Sequence, residues 1–224
     1  MERITVEGTI ATASTYAHMF SSLPNCGRPT RLMVYDIHTL QNRFYLYGNT
    51  IASLHCCVPT FLDRLKEKRD DTPPIDCIAF PDDGSAKRFA SEFGKTENNF
   101  EIVTCGKVRS GNDRLVTIQE GDCKGKHVVI VDDLVQTGGT LYECGKKLLE
   151  NGALSVSAYV THAVFPKNSW KRFDVNGDRN VFKKFWVTNS VPTVSGTLPV
   201  KNVVFEVLDI MDTMVNDLDA FKGY

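Results

Sequence analysis

The sequence predicts an α/β fold built on a largely parallel sheet, and three observations carry that expectation. Short β-branched runs alternate with helical patterns along the chain, the order that parallel strands and crossover helices produce. The run Val128-Val129-Ile130-Val131 is apolar at every position, as suits a strand covered on both faces. It leads through Asp132 and Asp133 into a Gly-rich turn, Gln136-Thr137-Gly138-Gly139-Thr140, that opens a helical pattern.

Each element follows from local chemistry. A periodic stretch over residues 9–21 predicts a first helix, and Leu-Met-Val-Tyr over 32–35 a first strand. A helical pattern over 60–68 runs into Glu67-Lys68-Arg69-Asp70-Asp71-Thr72-Pro73-Pro74, whose charges and paired prolines mark a surface connection. Cys-Ile-Ala-Phe over 77–80 predicts a buried strand, Pro81-Asp82-Asp83-Gly84 a turn, and 85–93 a helix. Strands follow over 102–105, 115–118 and 128–131. Gly139 and Thr140 start a helix over 140–151, and Gly152 stops it where a left-handed residue is favoured. Further strands are expected over 156–160, 185–188 and 203–207, with helices over 169–173 and 210–217.

Length and charge narrow the function classes. The 224 residues fit one large domain or a domain plus a fragment, against about 150 residues per domain. Lys plus Arg number 26 against 27 Asp plus Glu, a formal charge of -1, which gives no electrostatic reason to expect nucleic acid or an anionic membrane as partner. No apolar run approaches the roughly 20 residues needed to span a bilayer, and Glu2, Arg3 and Glu7 give the start neither a secretory nor a transit character, so a cytoplasmic location is expected. The 7 cysteines, with no Cys-x-x-Cys pair, read as reduced and mostly buried thiols.

The chemistry concentrates at the end of the strand over 128–131. Ligands of open parallel sheets bind beyond the carboxyl ends of the strands. There Gln136, Thr137, Gly138, Gly139 and Thr140 offer backbone N–H groups and hydroxyls at a helix start, a cradle for a phosphate dianion. Asp132 and Asp133 sit beside it, placed to accept bonds from vicinal ribose hydroxyls or to hold a hydrated divalent cation. Asp83, Gly84 and Ser85 open a second helix where an anion can sit. Arg88, further along, is read as part of a solvated basic face. Lys107 and Arg109 share one face of an extended Lys-Val-Arg triplet, and with Ser110 to Asp113 behind them they suit a mobile arm over polyphosphate.

These motifs carry a resemblance. The run from Asp132 to Thr140 resembles the ribose-phosphate loop of the type I phosphoribosyltransferase fold. Asp36-Ile37-His38, Pro81-Asp82-Asp83-Gly84, Lys107-Val108-Arg109 and this loop stand in the order found in ribose-phosphate pyrophosphokinases, with a plant-type character. The resemblance implies transfer of diphosphate from MgATP to the C1 hydroxyl of ribose 5-phosphate. It implies His38 and Asp82 as ligands of Mg2+, Lys107 and Arg109 as catalytic cations, Asp83, Gly84 and Ser85 as the pyrophosphate loop, and Asp132, Asp133 and 136–140 as the ribose 5-phosphate site. Gln136 cannot ionise, so a carboxylate role at that position is absent.

The same comparison implies residues 1–50 as the end of a partly absent N-terminal domain and residues 51–224 as a phosphoribosyltransferase-like catalytic domain. A half domain exposes sheet edge and apolar surface, so self-association into a homo-oligomer is expected. Two other readings remain open: a non-catalytic regulatory subunit that binds ribose 5-phosphate, and a phosphoribosyltransferase that consumes 5-phosphoribosyl 1-diphosphate.

Overall fold

A computed structural model describes residues 12–67, 72–96, 100–110, 113–199 and 204–220. The chain divides into two compact units, Met1–Cys57 and Val58–Tyr224.

In the first unit, α1 (Thr12–Ser21) precedes two parallel strands, β1 (Thr30–Tyr35) and β2 (Thr50–His55), paired from Thr30 with Thr50 to Tyr35 with His55. A 3-10 helix, Leu40–Tyr45, lies in the connection. β2 has no counterpart in the expectations: Thr-Ile-Ala-Ser-Leu-His lacks a β-branched run and is strand only because β1 offers it a ladder. Asp36 is buried at φ 42, and its carboxylate accepts a 2.9 Å bond from the Cys57 N–H. Several large apolar side chains of this unit stay exposed, among them Tyr16, Met19, Phe44, Tyr45 and Tyr47. The first residues of the helix expected over 9–21 lie outside the described residues, as does the middle of the 67–74 connection.

The second unit carries a seven-stranded sheet made of β3 (Cys77–Phe80), β4 (Glu101–Ser110), β5 (Asp113–Glu120), β6 (His127–Val135), β7 (Ser155–Ala163), β8 (Phe182–Thr188) and β9 (Phe205–Leu208). Its order is β5-β4-β3-β6-β7-β8-β9, and every pairing is parallel except that of β4 with β5. The helices are α2 (Val58–Lys66), α3 (Asp83–Gly94), α4 (Gly139–Glu150), α5 (Pro192–Ser195) and α6 (Met211–Asp219). The expected helix over 169–173 is a longer 3-10 segment, Pro166–Phe173.

Strand alternation sends side chains to two cores. On one face Leu141, Cys144 and Leu148 of α4 pack with Ala79, Val128, Ile130, Ala158 and Phe185. On the other, Phe61 of α2 stacks on Tyr159 at 4.5 Å and meets Trp186 at 5.2 Å, while Phe93 of α3 meets Phe80 at 6.2 Å. α2 is further fixed by Arg64, whose guanidinium donates to Glu206 at 2.5 and 3.0 Å, and the Trp186 indole N–H donates to the same carboxylate at 2.9 Å. All 7 cysteines are free and five of them are buried, as the sequence implied.

The topology locates the site. From β3 the chain builds outward through β4 to β5, whereas from β6 it builds the opposite way through β7, β8 and β9. The reversal falls between β3 and β6, and such a switch point leaves a crevice at the strands' carboxyl ends.

Candidate functional site

Both walls of this crevice are acidic strand ends leading into helices. β3 ends at Phe80, and Asp82 caps α3 by accepting from the Ser85 N–H at 3.0 Å. Asp83 and Gly84, expected to belong to a pyrophosphate loop, form the first turn of this helix and are exposed, while Ser85 is buried. A side chain at Gly84 would stand 3.1 Å from Asp82 Oδ1, so the small residue lets the carboxylate fold back over the helix start.

β6 is longer than expected and carries Asp132 and Asp133 within the strand. β3 pairs with β6 only as far as Ile130, so past that point the β3 side of β6 opens into the crevice. The Ser85 hydroxyl spans the gap: it lies 3.2 Å from Asp82 Oδ1 and donates to Asp132 Oδ1 at 2.9 Å. The Asp133 N–H also donates to Asp132 Oδ1, at 3.0 Å. Burial first, and then the charge of Asp133, push the Asp132 carboxyl up to about 7.

Arg88 departs from the solvated basic face read from sequence. Its guanidinium is largely buried and donates to Asp133 at 2.5 Å. Asp133 is 1% exposed, so this residue of the expected ribose site is turned to Arg88. One cue was present in the sequence: Arg88 stands three residues after Ser85, which puts both on the same face of α3.

The 136–140 turn runs into the start of a helix, as the sequence predicts. Gln136 and Thr137 are exposed, Gly138 adopts φ 74, and α4 starts at Gly139 and Thr140. Gly138 is doubly required, because any side chain there would meet the Phe173 ring at 2.3 Å in a left-handed backbone. Gly139 differs, since within 4 Å a Cβ there would have only Arg179 Nη1 at 3.8 Å and Thr137 Oγ1 at 3.9 Å as neighbours, both polar. α4 thus offers unfilled room at its N-terminus, the end that favours negative charge.

Two assignments gain no side-chain geometry. Lys107 and Arg109 lie in β4, where the backbone pairs Lys107 with Val116 and Arg109 with Arg114, and their side chains fall outside the described residues. His38 is exposed in the first unit and Asp82 is exposed in the second. Among the described residues no group of three or more His, Cys, Asp or Glu converges as a metal cage.

Comparison with known proteins gives concordant findings. The family profile described as "Phosphoribosyl transferase domain" matches residues 83–195. "Ribose-phosphate pyrophosphokinase 4" of Oryza sativa subsp. japonica is 45% identical over 221 residues, covering 97% of this chain and 66% of the relative. "Ribose-phosphate pyrophosphokinase 4" of Arabidopsis thaliana is 44% identical over 220 residues, covering 97% of this chain and 63% of the relative. The crystal structure of phosphoribosylpyrophosphate synthetase from Mycobacterium smegmatis superposes with a TM-score of 0.69 at 25% identity, over 93% of this chain and 63% of that one. The chain spans just under two thirds of the length of these relatives.

Proposed function

We propose, because this chain belongs to the phosphoribosyl transferase family on its ribose-phosphate pyrophosphokinase branch, that it transfers a diphosphoryl group from MgATP to ribose 5-phosphate. The C1 hydroxyl attacks the β-phosphorus, the bond from that phosphorus to the oxygen shared with the α-phosphorus breaks, and AMP leaves. The product is 5-phosphoribosyl 1-diphosphate, with the hydroxyl proton released. The observation that carries this reading is the joining of the two crevice walls through the Ser85 hydroxyl, between the cap of α3 and Asp132.

The roles follow from charge. The α4 cradle receives the 5-phosphate, and Asp132 accepts from ribose hydroxyls. The exposed start of α3 at Asp83 and Gly84 faces the pyrophosphate portion. Little covalent chemistry is asked of the protein, so orientation and neutralisation do most of the work. The crevice itself is acidic, and Arg88 is already paired with Asp133. Polyphosphate must therefore bring Mg2+, for which His38 and Asp82 are the proposed ligands, and must draw on Lys107 and Arg109. The bound ion supplies charge neutralisation on the transferring group.

The direct test is formation of AMP and 5-phosphoribosyl 1-diphosphate from MgATP and ribose 5-phosphate. Both products in equal amounts are expected. Ribose 5-phosphate binding without turnover would convert the reading to that of a binding subunit, and consumption of 5-phosphoribosyl 1-diphosphate with a free base would convert it to a transferase that uses this product.

Two properties belong with this reading. The exposed aromatic side chains of the first unit, on a two-stranded sheet of a size that is marginal alone, support a homo-oligomer. A single sedimenting species larger than one chain is expected, and a stable monomer at micromolar concentration would count against it. We also keep the cytoplasmic placement as a proposal. No helix among the described residues is long and apolar enough to cross a membrane. Listening for import in cells expressing a tagged full chain checks it, since some relatives carry organelle names.

A further inference from the structure

We infer that Arg179 is the cation that receives the 5-phosphate of ribose 5-phosphate, and so sets the preference for a phosphorylated sugar. The assignment rests on the reading of the α4 cradle given above. It comes from the excursion between β7 and β8, which touches the cradle at three points. The Ser169 hydroxyl donates to the Gln136 carbonyl at 3.4 Å, the Phe173 ring fills the space beside Gly138, and Arg179 stands over Gly139.

Arg179 is held there by a built loop. Its backbone N–H donates to the Arg172 carbonyl at 2.8 Å, and Arg172 pairs with Asp178 at 3.1 Å. Gly177 lies so close beneath that a Cβ would meet the Arg172 carbonyl oxygen at 2.1 Å. The guanidinium lies 4.8 Å above the ring of Tyr142, in the first turn of α4, which fixes its plane relative to the helix start.

The guanidinium rests on the Tyr142 ring but is not held by a carboxylate. Among the described residues no carboxylate forms an ion pair with Arg179, because Asp178 beside it takes Arg172. A Cβ placed on Gly139 would have Arg179 Nη1 at 3.8 Å and Thr137 Oγ1 at 3.9 Å, so a cation and a hydroxyl both border this position. The 136–140 turn contains no cation of its own, and Asp132 and Asp133 lie just before it. A dianion entering this space would gain from a counter-charge beside the N–H groups of the helix start, and Arg179 is placed to give it with the planar fork that suits phosphate.

Calorimetric titration of ribose 5-phosphate, with inorganic phosphate and ribose as further probes, tests this on the full chain. Arg179→Ala should weaken ribose 5-phosphate about 10- to 100-fold, the range for charged hydrogen bonds. Affinity for ribose should be unchanged, Arg179→Lys should recover part of the loss, and the loss should shrink below a pH of about 6, where the phosphate takes up a proton. Arg172→Ala serves as a control that loosens the loop while leaving the cation. If Arg179→Ala binds ribose 5-phosphate as tightly as wild type, or loses ribose and ribose 5-phosphate in equal measure, the inference falls and the cradle stands. If wild type binds neither ribose 5-phosphate nor phosphate, the cradle reading falls and takes the inference with it.

Discussion

Replacing Lys107 with alanine is expected to slow AMP and 5-phosphoribosyl 1-diphosphate formation by about 100- to 1,000-fold while leaving ribose 5-phosphate binding within a few-fold of wild type. The magnitude is that of removing one preorganised group aimed at developing charge. Two features of the fold favour Lys107 for that role. β4 lies next to β3 at the switch point, and beyond Thr104 its ladder with β5 shifts register, so that the two strands continue together as an antiparallel arm. Lys107 and Arg109 stand two residues apart in that arm, opposite Val116 and Arg114. The cradle, in contrast, belongs to β6 and α4, so losing Lys107 leaves the sugar site intact. Product formation followed by chromatography, with calorimetry on the same protein, separates the two effects. A slowing below about 10-fold would remove Lys107 from the reaction, and an equal loss of binding would make it a ligand of the sugar phosphate.

How much of this site was legible in the sequence depends on whether its signals were local. The Val128–Val131 run gave β6 because burial on both faces leaves a continuous apolar mark, and Gly138 marked the start of α4 because its left-handed backbone beside the Phe173 ring admits no side chain. Asp82 and Asp132 meet through the Ser85 hydroxyl, whereas Asp133 is buried against Arg88. What stayed hidden is contact between distant segments. β2 carries Ala52 and Ser53 where a clear strand would carry branched residues, and only its pairing with Met33 and its neighbours on β1 makes it a strand. Arg88 looked like one more exposed cation, since its partner Asp133 lies on a strand 45 residues further along the chain. Arg179 carries no local mark at all, and its place over Gly139 follows from the path of the chain after β7.

Asp132→Asn is expected to make the protein more stable at pH 8 and to weaken ribose 5-phosphate about 100-fold, and both effects come from one proton. Burial and the neighbouring Asp133 carboxylate raise Asp132 from its ordinary 3.8 to about 7 in the folded chain. Between those values the folded form holds a proton that the unfolded chain has released. Stability tied to this group is therefore fully present below a pH of about 4 and is lost as pH rises through 7, after which it stays level. The ionised carboxylate then costs on the order of 2–4 kcal/mol, which the neutral amide avoids. The Asn variant should melt roughly 4–16 °C above wild type at pH 8, and the gap should narrow towards pH 5. Arg88 does not relieve this cost, because its guanidinium is taken by Asp133. On the proposed assignment ribose hydroxyls would relieve it, since a carboxylate accepts from them without donating, whereas the amide presents one oxygen and two donors. Wild-type affinity for ribose 5-phosphate should accordingly rise from pH 6 to pH 8 as Asp132 ionises, and the Asn variant should lose this component of the pH dependence. Melting curves and titrations of both proteins across that range decide the matter. A variant that gains no stability at pH 8 would show that Asp132 is ionised at no cost in the folded chain, and one that binds as well as wild type would place the ribose hydroxyls elsewhere in the crevice.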